Sequence, residues 1–237
     1  GVVDAEGYLT ETQYDGSGNA AATIRYKARV AGAGTGTLPT ALSGAAGAAG
    51  VAVASLRPNA ASTATGDRIT LRVFNGMGWL MLEQLSDGTQ AKYAANSYTY
   101  DYAGRLLQSR RYSEDATALR QANYRYDAMG NVAAELGGVG SALLATVSAA
   151  TVGVGMTYAT QADKDAAINN VWNTYATLHS YDSRGLRVST RDAAGNRSLF
   201  YYDNRGQLTH SVNALGEVTI TARDAFGRVT QTTQVLN

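Results

Sequence analysis

From residue 178 onward, β-forming side chains come in short runs separated by an Asp or Asn followed three positions later by a Gly. The runs include Leu199-Phe200-Tyr201-Tyr202, Val218-Thr219-Ile220-Thr221 and Val229-Thr230 with Thr232-Thr233. The punctuation is Asp182 with Gly185, Asp192 with Gly195, Asp203 with Gly206, Asn213 with Gly216, and Asp224 with Gly227. The five glycines are separated by 10, 11, 10 and 11 residues, so two steps make a unit of 21. A fixed period of this size decides an architecture. In Asp-x-x-Gly the carboxylate can accept the backbone N–H two residues on. The Gly supplies the left-handed residue that follows a type I turn and returns the chain into the next strand. About six or seven residues remain between turns, an ordinary strand length. The pattern predicts short antiparallel strands reversing at regular steps.

The same punctuation occurs earlier, less regularly: Asp4 to Gly7 and, again 11 residues on, Asp15 to Gly18, then Asn75 to Gly78, Asp101 to Gly104 and Asp127 to Gly130. Asn75, Asp101 and Asp127 are each 26 residues apart, which predicts longer hairpins or extended loops. The expected fold class is all-β, a repetitive antiparallel β-hairpin ribbon with a small-residue insertion and one short helix. Repeats are assigned to residues 1–30, 67–135 and 178–237, forming one continuous repeat domain.

Two interruptions break the pattern. Residues 31–66 are rich in Ala, Gly, Ser and Thr, centred on the run from Ala41 to Leu56. The run is too short and too weakly apolar for a membrane span, which needs about 20 strongly apolar residues. It is not a dinucleotide fingerprint, because no strand precedes it and no acidic ribose partner follows. It reads as a loop or as a small-residue helix packed on a sheet. Residues 136–177 begin with small and branched residues and continue with a helical pattern over 161–175. Thr160-Gln161-Ala162-Asp163 is a candidate cap, and Ile168, Trp172 and Tyr175 are expected to bury against the sheet. A partner-binding helix is the alternative.

Composition then limits the chemistry. The chain has 237 residues, a net charge of +1 and no Cys, so disulfides and thiolate metal sites are excluded. Near-neutrality gives no electrostatic case for nucleic acid or an acidic membrane surface. Arg105, Arg184, Arg205 and Arg228 lie in or beside turns, where guanidinium groups suit carboxylates and tyrosine faces. The two histidines, His179 and His210, are not clustered, and no nucleophile elbow or P-loop is present. The turn carboxylates occupy equivalent places, so none stands out as a general acid. Asp163 and Asp165 fit a helix start better than a metal pair.

Aromatic residues often precede the turn Asp. Tyr98-Thr99-Tyr100-Asp101-Tyr102-Ala103-Gly104-Arg105-Leu106 resembles the tyrosine–aspartate (YD) repeat of the RHS family, as do Tyr124 to Val132, Tyr181 to Val188 and Tyr202 to Leu208. That family includes bacterial polymorphic toxins, the cocoon-forming C subunits of insecticidal toxin complexes, and animal teneurins. The resemblance implies a β-sheet ribbon that spirals into a hollow shell, which in the toxins houses a toxic C-terminal polypeptide. It also implies that some shells end in a self-cleaving aspartate protease with an Asp-Pro-rich signature. Here the only prolines are Pro39 and Pro58, and no Asp-Pro occurs, so that region is not expected within these residues.

The expected function is therefore a non-enzymatic wall segment of a shell or tube that encloses or displays a toxin or surface domain. The alternatives are a self-associating protomer of an extracellular filament and a carbohydrate-binding surface module using exposed tyrosines. No catalytic, cofactor or metal residue is assigned. Expected partners are flanking repeats of the same polypeptide, further copies of the chain, or an enclosed toxin domain, without nucleic acid or membrane insertion. The expected location is extracellular or at the cell surface. The chain opens and closes within the repeat pattern and reads as part of a longer array. The assigned turn residues are Asp4, Gly7, Asp15, Gly18, Gly78, Asp101, Gly104, Asp127, Gly130, Asp182, Gly185, Asp192, Gly195, Asp203, Gly206, Gly216, Asp224 and Gly227.

Overall fold

The computed structural model describes residues 1–30, 66–87, 93–112 and 119–236. The Ala/Gly-rich run of the first insertion lies outside the described residues. Fifteen strands are present among the described residues, and their order in the sheet is their order in the chain. The first nine are β1 (Val2–Val3), β2 (Tyr8–Tyr14), β3 (Ala20–Arg29), β4 (Arg68–Phe74), β5 (Leu80–Ser86), β6 (Tyr93–Tyr100), β7 (Leu106–Tyr112), β8 (Leu119–Tyr126) and β9 (Val132–Gly137). Two helices follow, here α1 (Gly138–Ala149) and α2 (Gln161–Tyr175). The remaining strands are β10 (Thr177–Tyr181), β11 (Arg187–Arg191), β12 (Arg197–Tyr202), β13 (Leu208–Val212), β14 (Val218–Arg223) and β15 (Val229–Val235).

The 10/11 alternation is an alternation of strand length. β11 and β13 have 5 residues, while β12 and β14 have 6. Each loop between them is built alike: in 182–186 the Asp182 N–H bonds the Leu186 carbonyl, and the Gly185 N–H returns to the Asp182 carbonyl. Loops 192–196, 203–207, 213–217 and 224–228 repeat both bonds. Turn chemistry is constant, and the strands absorb the odd residue through register shifts beside every second turn, as between Tyr201 and Tyr202 ahead of Asp203.

The chain divides into two compact units, Gly1–Gly104 with Ser109–Arg120, and Arg105–Gln108 with Gln121–Asn237. The first is cored by Leu9, Ile24, Tyr26, Val30 and Ile69. Glu11 is buried there at 4% exposure, and the Tyr26 hydroxyl donates to its Oε2 at 2.8 Å. That bond satisfies a group that would otherwise be costly to bury. The second unit is cored by Ala134, Leu136, Val171, Trp172 and Ala176, where the helix pair lies on β9. Burying a side chain such as Leu136, wholly inaccessible here, is worth about 1.5–3 kcal/mol.

The second insertion departs from expectation by holding two helices. α1 lacks every local start signal: its cap is Gly137 with no side-chain bond, and no acidic residue lies in its first turn. Tertiary contacts form it instead. The Ser141 hydroxyl, fully buried, donates to the Leu136 carbonyl at 2.6 Å and accepts from Asn123 Nδ2 at 2.8 Å. The ammonium of Lys164 donates to the Ser148 and Ala150 carbonyls at 2.6 and 2.8 Å, closing the end of α1. α2 has the expected capping box between Thr160 and Asp163. Its burial differs in part. Trp172 is buried and Ile168 packs on the core, but Tyr175 is 41% exposed, with Val171 and Ala176 buried beside it.

Candidate functional site: the edge of Asp–Gly turns

Consecutive strands pair antiparallel, so alternate connections meet at one edge. In the first unit the turns that start at Asp15, Asn75 and Asp101 share an edge, and the Asp4 turn and the longer β3–β4 and β5–β6 connections leave from the other. In the second unit the turns at Asp127, Asp182, Asp203 and Asp224 share an edge; the helix pair and the turns at Asp192 and Asn213 lie on the other. Insertions are thus segregated from a uniform row of Asp–Gly turns in each unit. The assigned residues fall accordingly. Gly18, Gly78 and Gly104 are on the uniform edge of the first unit, and Gly130, Gly185, Gly206 and Gly227 on that of the second. Gly7, Gly195 and Gly216 lie opposite. All of them have positive φ, between 78° and 90°.

Each turn carboxylate is used by its own loop. Asp182 Oδ1 accepts from the Arg184 and Leu186 N–H groups, both at 2.9 Å, and its Oδ2 accepts from Arg184 Nε at 3.0 Å. Asp15 and Asp127 use Oδ2 for the side-chain amides of Asn19 and Asn131, and Asp224 for Arg228. The bond to the fourth residue adds to the expected bond to the second. These donors favour the charged form. The Asn19, Asn131 and Asn196 amides hold Asp15, Asp127 and Asp192 below the ordinary carboxylate value; the Leu186 N–H does so for Asp182 and the Arg228 side chain for Asp224.

Turns along an edge also touch one another. The residue four after one turn Asp lies beside the turn Gly of the next. A Cβ on Gly104 would stand 2.8 Å from Trp79 Cζ2, and one on Gly206 3.5 Å from Leu186 Cδ1. One on Gly185 would stand 3.6 Å from Asn131 Oδ1, and one on Gly227 would meet the Gln207 amide. The Arg184 and Arg205 guanidinium groups reach to the next turn, bonding the Asp203 and Ala225 carbonyls at 3.0 and 3.2 Å.

The tyrosine before the Asp has a role beyond packing, which was not anticipated. The Tyr100 hydroxyl donates to the Leu80 carbonyl at 2.9 Å, Tyr126 to Leu106 at 2.8 Å, Tyr181 to Val132 at 3.0 Å and Tyr202 to Arg187 at 2.9 Å. In all four, the acceptor is the first strand residue after the preceding turn on the same edge. The signal available in the sequence was position: a tyrosine directly before Asp, repeated. Arg105 stacks on a tyrosine as expected, over Tyr126 at 4.8 Å, and Arg187 lies over Phe200 at 5.1 Å.

The histidines stay apart. His179 Nδ1 lies 3.0 Å from Thr190 Oγ1, and burial holds its pKa below the ordinary value; His210 Nδ1 lies 3.1 Å from Thr209 Oγ1. Among the described residues, no three His, Asp or Glu side chains gather in a metal-binding group, and no helix is long and apolar enough to cross a membrane.

Residues 202–236, from the end of β12 through β15, match the family model of the RHS repeat. Those residues carry the RHS repeat. No curated protein matches it. Among solved structures it is similar to the crystal structure of TcdB2-TccC3, at 14% identity and a TM-score of 0.45, covering 96% of this chain and 10% of that one. It is also similar to TcdB2-TccC3-TEV, at 13% identity and a TM-score of 0.44, covering 96% and 10%. A third is the Tc holotoxin pore of Photorhabdus luminescens, at 10% identity and a TM-score of 0.31, covering 98% and 14%. The chain spans about a tenth of the length of the first of these.

Proposed function

We propose that this chain is a non-enzymatic wall segment of an RHS β-sheet shell or tube that encloses or displays a toxin or surface domain outside the cell. The observation that carries the reading is the fate of the repeated polar groups. Turn carboxylates accept from their own loops, and four tyrosine hydroxyls bond a neighbouring hairpin's backbone. The carboxylates close each turn and the tyrosines join hairpin to hairpin, which is what a wall requires, and the reading invokes no cofactor. Each repeat contacts chiefly its neighbours, so a ribbon of this kind extends by addition of further repeats.

The partners in this reading are flanking repeats of the same polypeptide and an enclosed domain. Limited proteolysis of the native polypeptide tests enclosure: a segment outside the repeats should resist protease until the repeats unfold. Immediate cleavage of every other segment, with the repeats intact, would overturn it.

A filament protomer is the second reading. Exposed edges recruit other strands, and in this reading the recruited strand belongs to another copy.

A further inference from the structure

The helices α1 and α2 cover only one end of a sheet face in the second unit. The register traces that face along the strands. Arg125 stands opposite Ala134, Ala134 opposite Leu178, Leu178 opposite Arg191, and Arg191 opposite Arg197. Two residues along, the row reads Ser180, Ser189, Leu199, Val212, Val218 and Val235. The row beyond is Tyr201, His210, Ile220 and Thr233. Directly opposed residues, and residues two apart on a strand, share a face.

Ala134 and Leu178 lie in the helix-covered core. Further along, Leu199, Val212 and Val218 are only half-buried, and Tyr201 is 51% exposed. The main contacts of the helices are with each other and with β9. The uncovered face therefore continues an interface that already exists. At its border stand Arg191 and Arg197, directly opposed and both exposed, with no acidic partner among the described residues. Like charges directly opposite destabilise a strand pair unless an anion lies near. The covered end has an arginine on the same face. Arg125 lies over the Trp172 ring, 4.5 Å from its centroid, and its Nη1 donates to Asn169 Oδ1 at 3.1 Å.

We propose that the β11–β14 part of this face docks an amphipathic helix of a partner polypeptide, with its carboxylates against Arg191 and Arg197 and its apolar stripe on Leu199, Val212 and Val218. Guanidinium–carboxylate bonds fix the register, and the apolar row supplies the burial. The proposal goes beyond the wall reading and does not depend on whether the wall is closed.

The test measures binding of two labelled synthetic peptides to the full chain by fluorescence anisotropy. One has Leu at i, i+3, i+4 and i+7 with Glu on the flanks; the other has Lys in place of Glu. The Glu peptide should bind and the Lys peptide should not. Arg191→Gln with Arg197→Gln should weaken the Glu peptide about tenfold or more, as loss of two charge-assisted contacts allows. Tyr201→Ser should weaken it too, while Trp172 fluorescence stays unchanged as a check on the fold. Equal binding of both peptides, or none, overturns the proposal. So does preference for a single-stranded oligonucleotide, or sedimentation that shows a second copy of the chain held on this face through Arg191 and Arg197.

Discussion

Substituting two glycines of one edge separates the two demands placed on the turns. Gly78 and Gly104 lie in the same unit, on consecutive turns of one edge, with φ of 79° and 81°. Ala at either position must adopt a left-handed conformation, at a cost of about 1–2 kcal/mol. Their surroundings differ. A Cβ on Gly78 meets nothing closer than Asn19 Oδ1 at 3.8 Å, whereas on Gly104 it would stand 2.8 Å from Trp79 Cζ2 and 3.1 Å from Cε2. The ring is backed by Tyr100, with centroids 5.6 Å apart, so it has little room to retreat. Forcing a methyl group into such a contact costs a further ~1–3 kcal/mol. Gly104→Ala should therefore lose about 2–5 kcal/mol in all, against about 1–2 for Gly78→Ala. Trp79→Leu should narrow the gap by opening space above the turn. The assay is urea unfolding followed by circular dichroism, with each glycine variant compared in the parent and Trp79→Leu backgrounds. Equal losses at the two glycines, or a gap that Trp79→Leu leaves unchanged, would refute turn-to-turn contact as a constraint.

Three further outcomes are expected. Tyr126→Phe removes the bond to the Leu106 carbonyl and should cost about 0.5–1.5 kcal/mol in unfolding measurements, while Tyr102→Phe, on a fully exposed ring, should cost nothing measurable. Ser141→Ala leaves Asn123 Nδ2 without its buried partner and should cost about 1–3 kcal/mol, with loss of helical circular dichroism if α1 detaches from β9. Asp15, Asp127, Asp182, Asp192 and Asp224 are held below the ordinary value of 3.8. A lowered folded pKa adds stability above the unfolded value and loses it as pH falls through the folded value. Melting temperature should thus fall as pH drops below 3.8, and Asp127→Asn should flatten part of that fall while keeping the turn.

The turns were legible because their determinants are local. An Asp with a Gly three residues on closes the same five-residue loop at 182–186 and 224–228, whatever lies between. α2 was legible for the same reason, through Thr160 and Asp163. α1 was not, since its stability comes from the bond between Asn123 and Ser141, from Lys164 and from the buried face of β9, which are non-local. Tyr175 was misplaced because helical spacing identifies a stripe without giving its width, and the core takes Val171 and Trp172. The tyrosine bonds were hidden for a related reason. Tyr181 reaches Val132 across the whole helical insertion, so sequence distance obscures what the turn row brings together. Segregation of insertions to one edge follows from counting alternate connections, once each strand is known to pair with the next.

Electron cryo-microscopy of the native polypeptide that contains these residues tests the wall reading most directly. The account predicts that strands β4 to β15 form part of a continuous sheet, with the turns at Asp182, Asp203 and Asp224 stacked along one edge and further hairpins paired to β15. A map in which these residues form an isolated domain outside any wall, with β15 unpaired, would contradict it.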